Sequence, residues 1–218
     1  RRQAMGTIRA HAVSEHVTLI NLFTVNPRDQ LGLTRVQLGD MYWYGKRQPG
    51  AISANFHRSL DGVRFFNYAQ WRSLEALEAG RRTPEFQQHL HNYRYFEMSM
   101  DPHAYEVVMT TRGQPLDIRW PSPVLVTLRV DTVEPARQEA LLALLRGELE
   151  SEVAGRMGAA LHRSLDGERV AVYSQWRGEA DLEAALASEG QRALQERAAT
   201  LARATDFRRY EVSGTSED

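Results

Sequence analysis

The stretch HRSLDGVRFFNYAQWR at 57–72 returns as HRSLDGERVAVYSQWR at 162–177, an offset of 105 residues (162 − 57). The same offset carries Gly50 to Gly155, Ala54 to Ala159 and Leu77-Glu78-Ala79 to Leu182-Glu183-Ala184. After an interruption it carries Tyr105-Glu106-Val107 to Tyr210-Glu211-Val212. A register held over about 30 residues and then recovered marks a tandem duplication. The 218-residue chain therefore reads as two small domains in series.

Each copy reads strand, helix, two strands, helix, strand. In the first, HVTLINLFTV (16–25) is β-branched and apolar and stops at Asn26-Pro27. Residues 28–45 fit a helix. AISANFHRS and VRFFNYAQW are joined around Asp61-Gly62, a dipeptide that tolerates positive φ and so signals a hairpin. SLEALEAG and PEFQQHLHNY form a broken helix, and 105–111 is the last strand. The second copy repeats the plan: VLVTLRV, a helix from Pro135, a hairpin at Asp166-Gly167, a helix over 179–203 and the strand DFRRYEVSG. This predicts an α+β fold of two tandem ferredoxin-like domains, β-α-β-β-α-β each. The expected bounds are a 1–15 extension, a first domain at 16–111, a proline-dense linker at 112–123 and a second domain at 124–218. Strands such as VRFFNYAQW are apolar on both sides, so the uncovered sheet faces must pack together, either within the chain or between two chains of a homodimer.

A net charge of −1 gives no electrostatic argument for nucleic acid or an anionic membrane. The absence of cysteine excludes disulfides, thiolate metal sites and cysteine nucleophiles, and no metal site is expected. No apolar run is long enough to span a bilayer and no secretory signal is visible, so a cytoplasmic protein with a small-molecule partner is expected.

Strand alternation then sorts the side chains. Phe65, Asn67, Ala69 and Trp71 share one face of their strand, and Val17, Leu19, Asn21 and Phe23 share one face of theirs. An asparagine in the middle of an apolar face must find partners or cost about 1–3 kcal/mol. Two of them beside a tryptophan suggest a pocket with polar handles in an apolar wall. The second copy is an internal control. Asn67 becomes Val172, Phe56, Phe65 and Phe66 become Leu161, Val170 and Ala171, and Trp71 is kept as Trp176. Matching INLFTV to VTLRVD sets Asn21 opposite Thr127. Shared residues (Arg58, Ser59, Asp61, Gly62, Gln70, Arg72) read as scaffold, and residues unique to the first copy read as functional: one domain works and the other supports it.

NLFTV followed by PGAISANFHRSLDGVRFFNYAQW resembles the antibiotic biosynthesis monooxygenase family of the dimeric α+β barrel superfamily, over about 17–93 and more weakly in the second copy. The resemblance implies a fused pair of domains closed into such a barrel. It further implies an oxygenase that converts an anthrone- or naphthacenone-type aromatic polyketide to a quinone with O2 and without metal or bound flavin. The family's pocket asparagine on the first strand and its Asn-x-x-x-Trp on the third fall on Asn21, Asn67 and Trp71, the catalytic candidates. Tyr42, Trp43, Tyr44, Phe56 and Phe65 are candidate walls, and His57, His89 and His91 candidate bases. His89 and His91 are not spaced for one helical face. Three alternatives stay open: a reduced-flavin-dependent angucycline ring-cleaving oxygenase, a haem-degrading protein whose axial ligand is His89 or His91, and a non-catalytic ligand-binding barrel.

Overall fold

A computed structural model of the chain describes residues 4–12, 15–43 and 47–217, without the side chains of residues 4, 5, 42, 43 and 217. The first copy supplies strand β2 (Val17–Val25), helix α1 (Gln30–Trp43), strands β3 (Ala51–Ser59) and β4 (Arg64–Trp71), helices α2 (Leu74–Arg81) and α3 (Pro84–Asn92), and strand β5 (Met98–Thr110). The second supplies β7 (Leu125–Val133), α4 (Gln138–Leu149), β8 (Arg156–Ser164), β9 (Arg169–Trp176), α5 (Glu179–Leu186), α6 (Glu189–Ala199) and β10 (Ala202–Glu217). Local chemistry sets these bounds. Ser73 and Thr83 accept from the backbone N–H of Ala76 and Phe86 to cap α2 and α3, and Pro84 opens α3 where its missing N–H costs nothing. Gly62 and Gly167 hold the hairpin turns at φ of 82° and 81°.

The strands close into one antiparallel barrel, in the order β10-β3-β4-β2-β5-β8-β9-β7, with β7 returning to β10. The chain thus forms its pseudo-dimer within itself. The closure is made by two long strands. β5 pairs with β2 up to Tyr105 and with β8 from Tyr105 onward, while β10 pairs with β7 up to Tyr210 and with β3 from Tyr210 onward. The repeated Tyr-Glu-Val sits at each changeover. The expected strand 105–111 captured the crossing half of β5, and DFRRYEVSG the middle of β10 on both sides of its changeover. MSMDPHA carries Asp and Pro, weak strand formers, and pairing with β2 overrides that preference.

Residues common to both copies build these two junctions. Arg58 pairs with Glu211 across β3 and β10, and Arg163 with Glu106 across β8 and β5. Arg208 joins Asp61 and Asp206 at one junction, and at the other His103 joins Asp166 (2.5 Å) and Asp101 (2.9 Å), with Arg169 beside Asp101. The hydrogen bond to Asp101 and the bond to Asp166 hold the His103 imidazole above its ordinary range, against its burial and the Arg169 charge. A raised histidine stabilises fully below pH 6.5, and that stabilisation is lost as pH rises through its folded-state value. Replacing His103 by arginine, the residue of the other junction, is expected to abolish this loss. Calorimetry at pH 6 and pH 9 should show the wild type losing roughly 2–4 °C more than H103R, about 1 kcal/mol at most after solvent screening of the two carboxylates.

Two segments differ from expectation. The 1–15 extension contains β1 (Ala4–Ile8) and the 112–123 linker contains β6 (Leu116–Trp120), which pair antiparallel. Ile8, Leu116 and Ile118 join the barrel's inner core with Phe66, Tyr68 and Tyr173. Gln70 Nε2 donates to Thr7 O (2.9 Å) and the equivalent Gln175 Nε2 to Asp117 O (2.8 Å), so the shared glutamines tether the ribbon. Short strands with only two or three apolar residues give too little periodicity to be read without their partner. The expected 179–203 helix is also broken, with Ser188 capping α6. Among the described residues no helix is long and apolar enough to cross a membrane.

Candidate active site

In the first half, the outer face of the sheet and the helices α1, α2 and α3 enclose a cavity of about 310 Å³. Its floor is the alternating face of β2 and β4, where Asn21 is the direct cross-strand partner of Asn67 and Leu19 of Ala69. Trp71 walls it at the end of β4, and Phe56 closes the β3 side. On the same outer face, at the end of the floor beyond Asn67, Phe65 packs against Phe23 and Phe56, with ring centroids 5.6 and 5.8 Å apart.

The wall is mostly apolar, yet several of its polar atoms have nothing to bind. Asn21 Oδ1, Asn67 Oδ1, Trp71 Nε1 and Gln48 Oε1 are buried and have no hydrogen-bond partner among the described residues. Buried polar groups are nearly always satisfied, and each that is not costs about 1–3 kcal/mol. Four around one cavity make a recognition surface for a guest that both donates and accepts.

The second half resolves the same positions differently. It also holds a cavity, of about 490 Å³. Strand pairing there sets Arg129 opposite Val172, as Asn21 is opposite Asn67, while Thr127 faces Ser174 as Leu19 faces Ala69. The counterpart of Asn21 is therefore Arg129, which corrects the sequence match to Thr127. The reason lies upstream of the hairpin: 29 residues separate Gln30 from the Ser59 that it clasps, but only 26 separate the equivalent Gln138 from Ser164. Arg129 is locked to Asp131 by two hydrogen bonds of 2.7 and 3.0 Å and donates to Gln195 at 3.0 Å. Trp176 Nε1 donates to Thr127 Oγ1 at 3.0 Å. Among the described residues, no buried polar atom of this second cavity lacks a partner.

The family model of the antibiotic biosynthesis monooxygenases matches residues 17–92 and again 123–197. The chain belongs to the antibiotic biosynthesis monooxygenase family. Tetracenomycin-F1 monooxygenase of Streptomyces glaucescens is 39% identical over 72 residues, 33% of this chain, which spans 64% of that relative's length. An anthrone oxidase-like protein has the same fold over 97% of this chain and 96% of its own, at 25% identity and a TM-score of 0.82. A Fusobacterium nucleatum protein matches 95% of this chain and 96% of its own with a TM-score of 0.68, and at 6% identity that likeness shows the fold alone.

In this family member the structure gathers some predicted residues and separates others. Asn21, Asn67, Trp71, Phe56 and His89 line the cavity. Phe65 shares the floor's face but is fully buried against Phe23 and Phe56 and does not line the cavity. His57 is a correction: it alternates with Phe56 on β3 and so points into the barrel, where Nε2 meets the Tyr173 hydroxyl at 3.0 Å. Its counterpart His162 meets the Tyr68 hydroxyl at 2.8 Å. His91 is also a correction, standing exposed on α3 beside Arg94. Tyr42 and Trp43 end α1, but their side chains, like the whole of Tyr44, lie outside the described residues.

Sequence reading missed Gln37, Asp40, Gln48, Gly80 and Tyr93, which also line the cavity. Tyr93 follows His89 by four residues, a one-face spacing that could have flagged it. Gly80 has a packing role. A Cβ there would lie 2.8 and 3.0 Å from the Trp71 ring, where the second half carries Ala185. Gly80→Ala is expected to push the indole into the cavity. Titration with anthraquinone, read by tryptophan fluorescence, should show at least about fivefold weaker binding, while the helix gains up to about 1 kcal/mol from its better propensity.

Proposed function

We propose that the protein is an oxygenase that oxidises a planar phenolic polyketide intermediate with O2 in its first-half cavity, turning an anthrone-type ring CH2 into the carbonyl of a quinone with release of water. One observation carries the reading: an apolar cavity whose buried amide oxygens and indole N–H have no partner among the described residues and are free for a guest. The names of the tetracenomycin-F1 monooxygenase and the anthrone oxidase-like protein point the same way. A volume of about 310 Å³ is at the small end for ligand sites and suits one flat ring system.

No bound cofactor enters this reading, and O2 is the co-substrate. Loss of a proton makes the substrate an electron-rich carbanion or phenolate, which reduces dioxygen itself. The protein orients the ring system against Trp71, keeps out bulk water, and offers the Asn21 and Asn67 amides to the substrate and peroxide oxygens. The residues do not fit a haem site: both ring nitrogens of His89 are engaged within the protein and His91 faces outward.

The test is oxygen uptake and quinone formation from dithranol in air, with and without reduced flavin. Turnover without additive is expected. Turnover only with reduced flavin points to the ring-cleaving chemistry, and turnover in neither sinks the oxygenase reading. Trp71→Phe should lower turnover at least about tenfold, or 1.4 kcal/mol of transition-state stabilisation. Trp176→Phe should leave it nearly intact, because that indole is spent on Thr127.

A further inference from the structure

A second group of cavity residues forms a continuous hydrogen-bonded chain that the oxygen chemistry above leaves unused. Asp40 Oδ2 meets His89 Nδ1, His89 Nε2 meets the Tyr93 hydroxyl, and Gln37 Nε2 reaches the same hydroxyl. All four residues line the cavity. The proton positions follow from what each group can do. An ionised carboxylate only accepts, so His89 carries its hydrogen on Nδ1. A neutral imidazole then accepts at Nε2, so the Tyr93 hydroxyl donates to it. The Gln37 amide donates to the Tyr93 oxygen and leaves one lone pair of that oxygen for the cavity.

We propose that Tyr93 and His89, oriented by Asp40, form a proton relay that takes the acidic hydrogen from the bound substrate and later returns it to the peroxide; this rests on the oxygenase reading. As the substrate C–H or O–H bond breaks, its proton moves to the Tyr93 oxygen while the Tyr93 proton moves to His89 Nε2. The electron pair stays on the substrate. The imidazolium that forms is stabilised by the Asp40 carboxylate, an orientation and charge role familiar from acid–base pairs. The substrate anion reduces O2 and combines with it at carbon, and the relay runs backward to protonate the distal oxygen. Loss of the second ring hydrogen then expels water and leaves the carbonyl. Tyrosine never carries charge in this sequence. That agrees with its surroundings, since burial and the nearby Asp40 charge push the Tyr93 phenol well above its ordinary range. The helix places the pair: His89 and Tyr93 are one turn apart, and Asp40 and Gln37 reach them from α1.

The test is exchange of the dithranol methylene protons in D2O without oxygen, followed by NMR, beside oxygen uptake in air. The wild type should accelerate exchange. His89→Gln and Tyr93→Phe should each lose about 100-fold, within the usual range for a positioned base. Asp40→Asn should slow exchange with unchanged affinity for anthraquinone, whereas a merely structural role would weaken that affinity. Variants that exchange at the wild-type rate overturn the relay even if oxygen uptake stands. A wild type that exchanges protons through His89 and Tyr93 but takes up no oxygen keeps the relay and sinks the oxygenase reading. A wild type that does neither overturns both.

Discussion

Replacing Asn67 by valine, the residue of the second half, is expected to lower dithranol turnover at least about tenfold and to raise the melting temperature by roughly 2–6 °C. Both effects come from one atom group. Asn67 Oδ1 is buried without a partner on a strand floor among apolar neighbours. Its removal relieves a cost of about 1–3 kcal/mol, and a β-branched residue suits the strand better. For a chain of this size each kcal/mol is worth about 2–4 °C. Stability gained where activity is lost is the signature of a site kept for its ligand. Calorimetry and oxygen uptake on the same preparation check it. Unchanged turnover, or a lower melting temperature, would show that the amide serves the fold instead.

Acid is expected to unfold the protein steeply between about pH 6 and pH 4, through two histidines that do no chemistry. His57 and His162 are fully buried in the barrel, and burial pushes both imidazoles down to about 3. In the unfolded chain they titrate near 6.5, so the unfolded state gains protons first as pH falls. The sign is loss of stability with falling pH, from 6.5 down toward 3. Each group contributes about 1.4 kcal/mol per pH unit, so the pair contributes about 2.7 kcal/mol per unit. Ordinary stabilities of about 5–15 kcal/mol are consumed within a few units. Tyr173→Phe alone leaves His57 Nε2 without its 3.0 Å partner and should cost about 1–3 kcal/mol at pH 7. The double variant His57→Leu with Tyr173→Phe removes both ends of the bond. It should recover most of that loss and lower the acid slope by about 1.4 kcal/mol per pH unit, read by urea unfolding at pH 7, 6 and 5. A double variant with the wild-type slope would place the acid sensitivity elsewhere.

These two expectations also separate what could be read early from what could not. His57 carries a repeated counterpart and an ordinary strand environment, and the alternation that put Phe56 on the cavity side already put His57 on the other. Only the barrel shows what lies there: a tyrosine from the opposite half, 116 residues away. Asp40 and Gln48 gave no signal because their neighbours in space, His89 and Trp71, are distant in sequence. The three-residue surplus of the first half escaped notice because the ungapped register begins only at Gly50. That surplus shifts the counterpart of Asn21 to Arg129, and so turns an apparent asparagine-to-threonine change into an unpartnered amide replaced by an ion-paired arginine.

By itself the sequence determined that the chain is a duplicated α+β unit with polar handles on one apolar face of its first copy, because strand alternation and a held repeat register are local properties. Tertiary structure alone decided how the sheet edges close, which ends hold the ribbon, which histidine meets the cavity, and which buried amides stay unsatisfied. Those depend on what sits opposite each side chain, and in a barrel that neighbour comes from the other half of the chain.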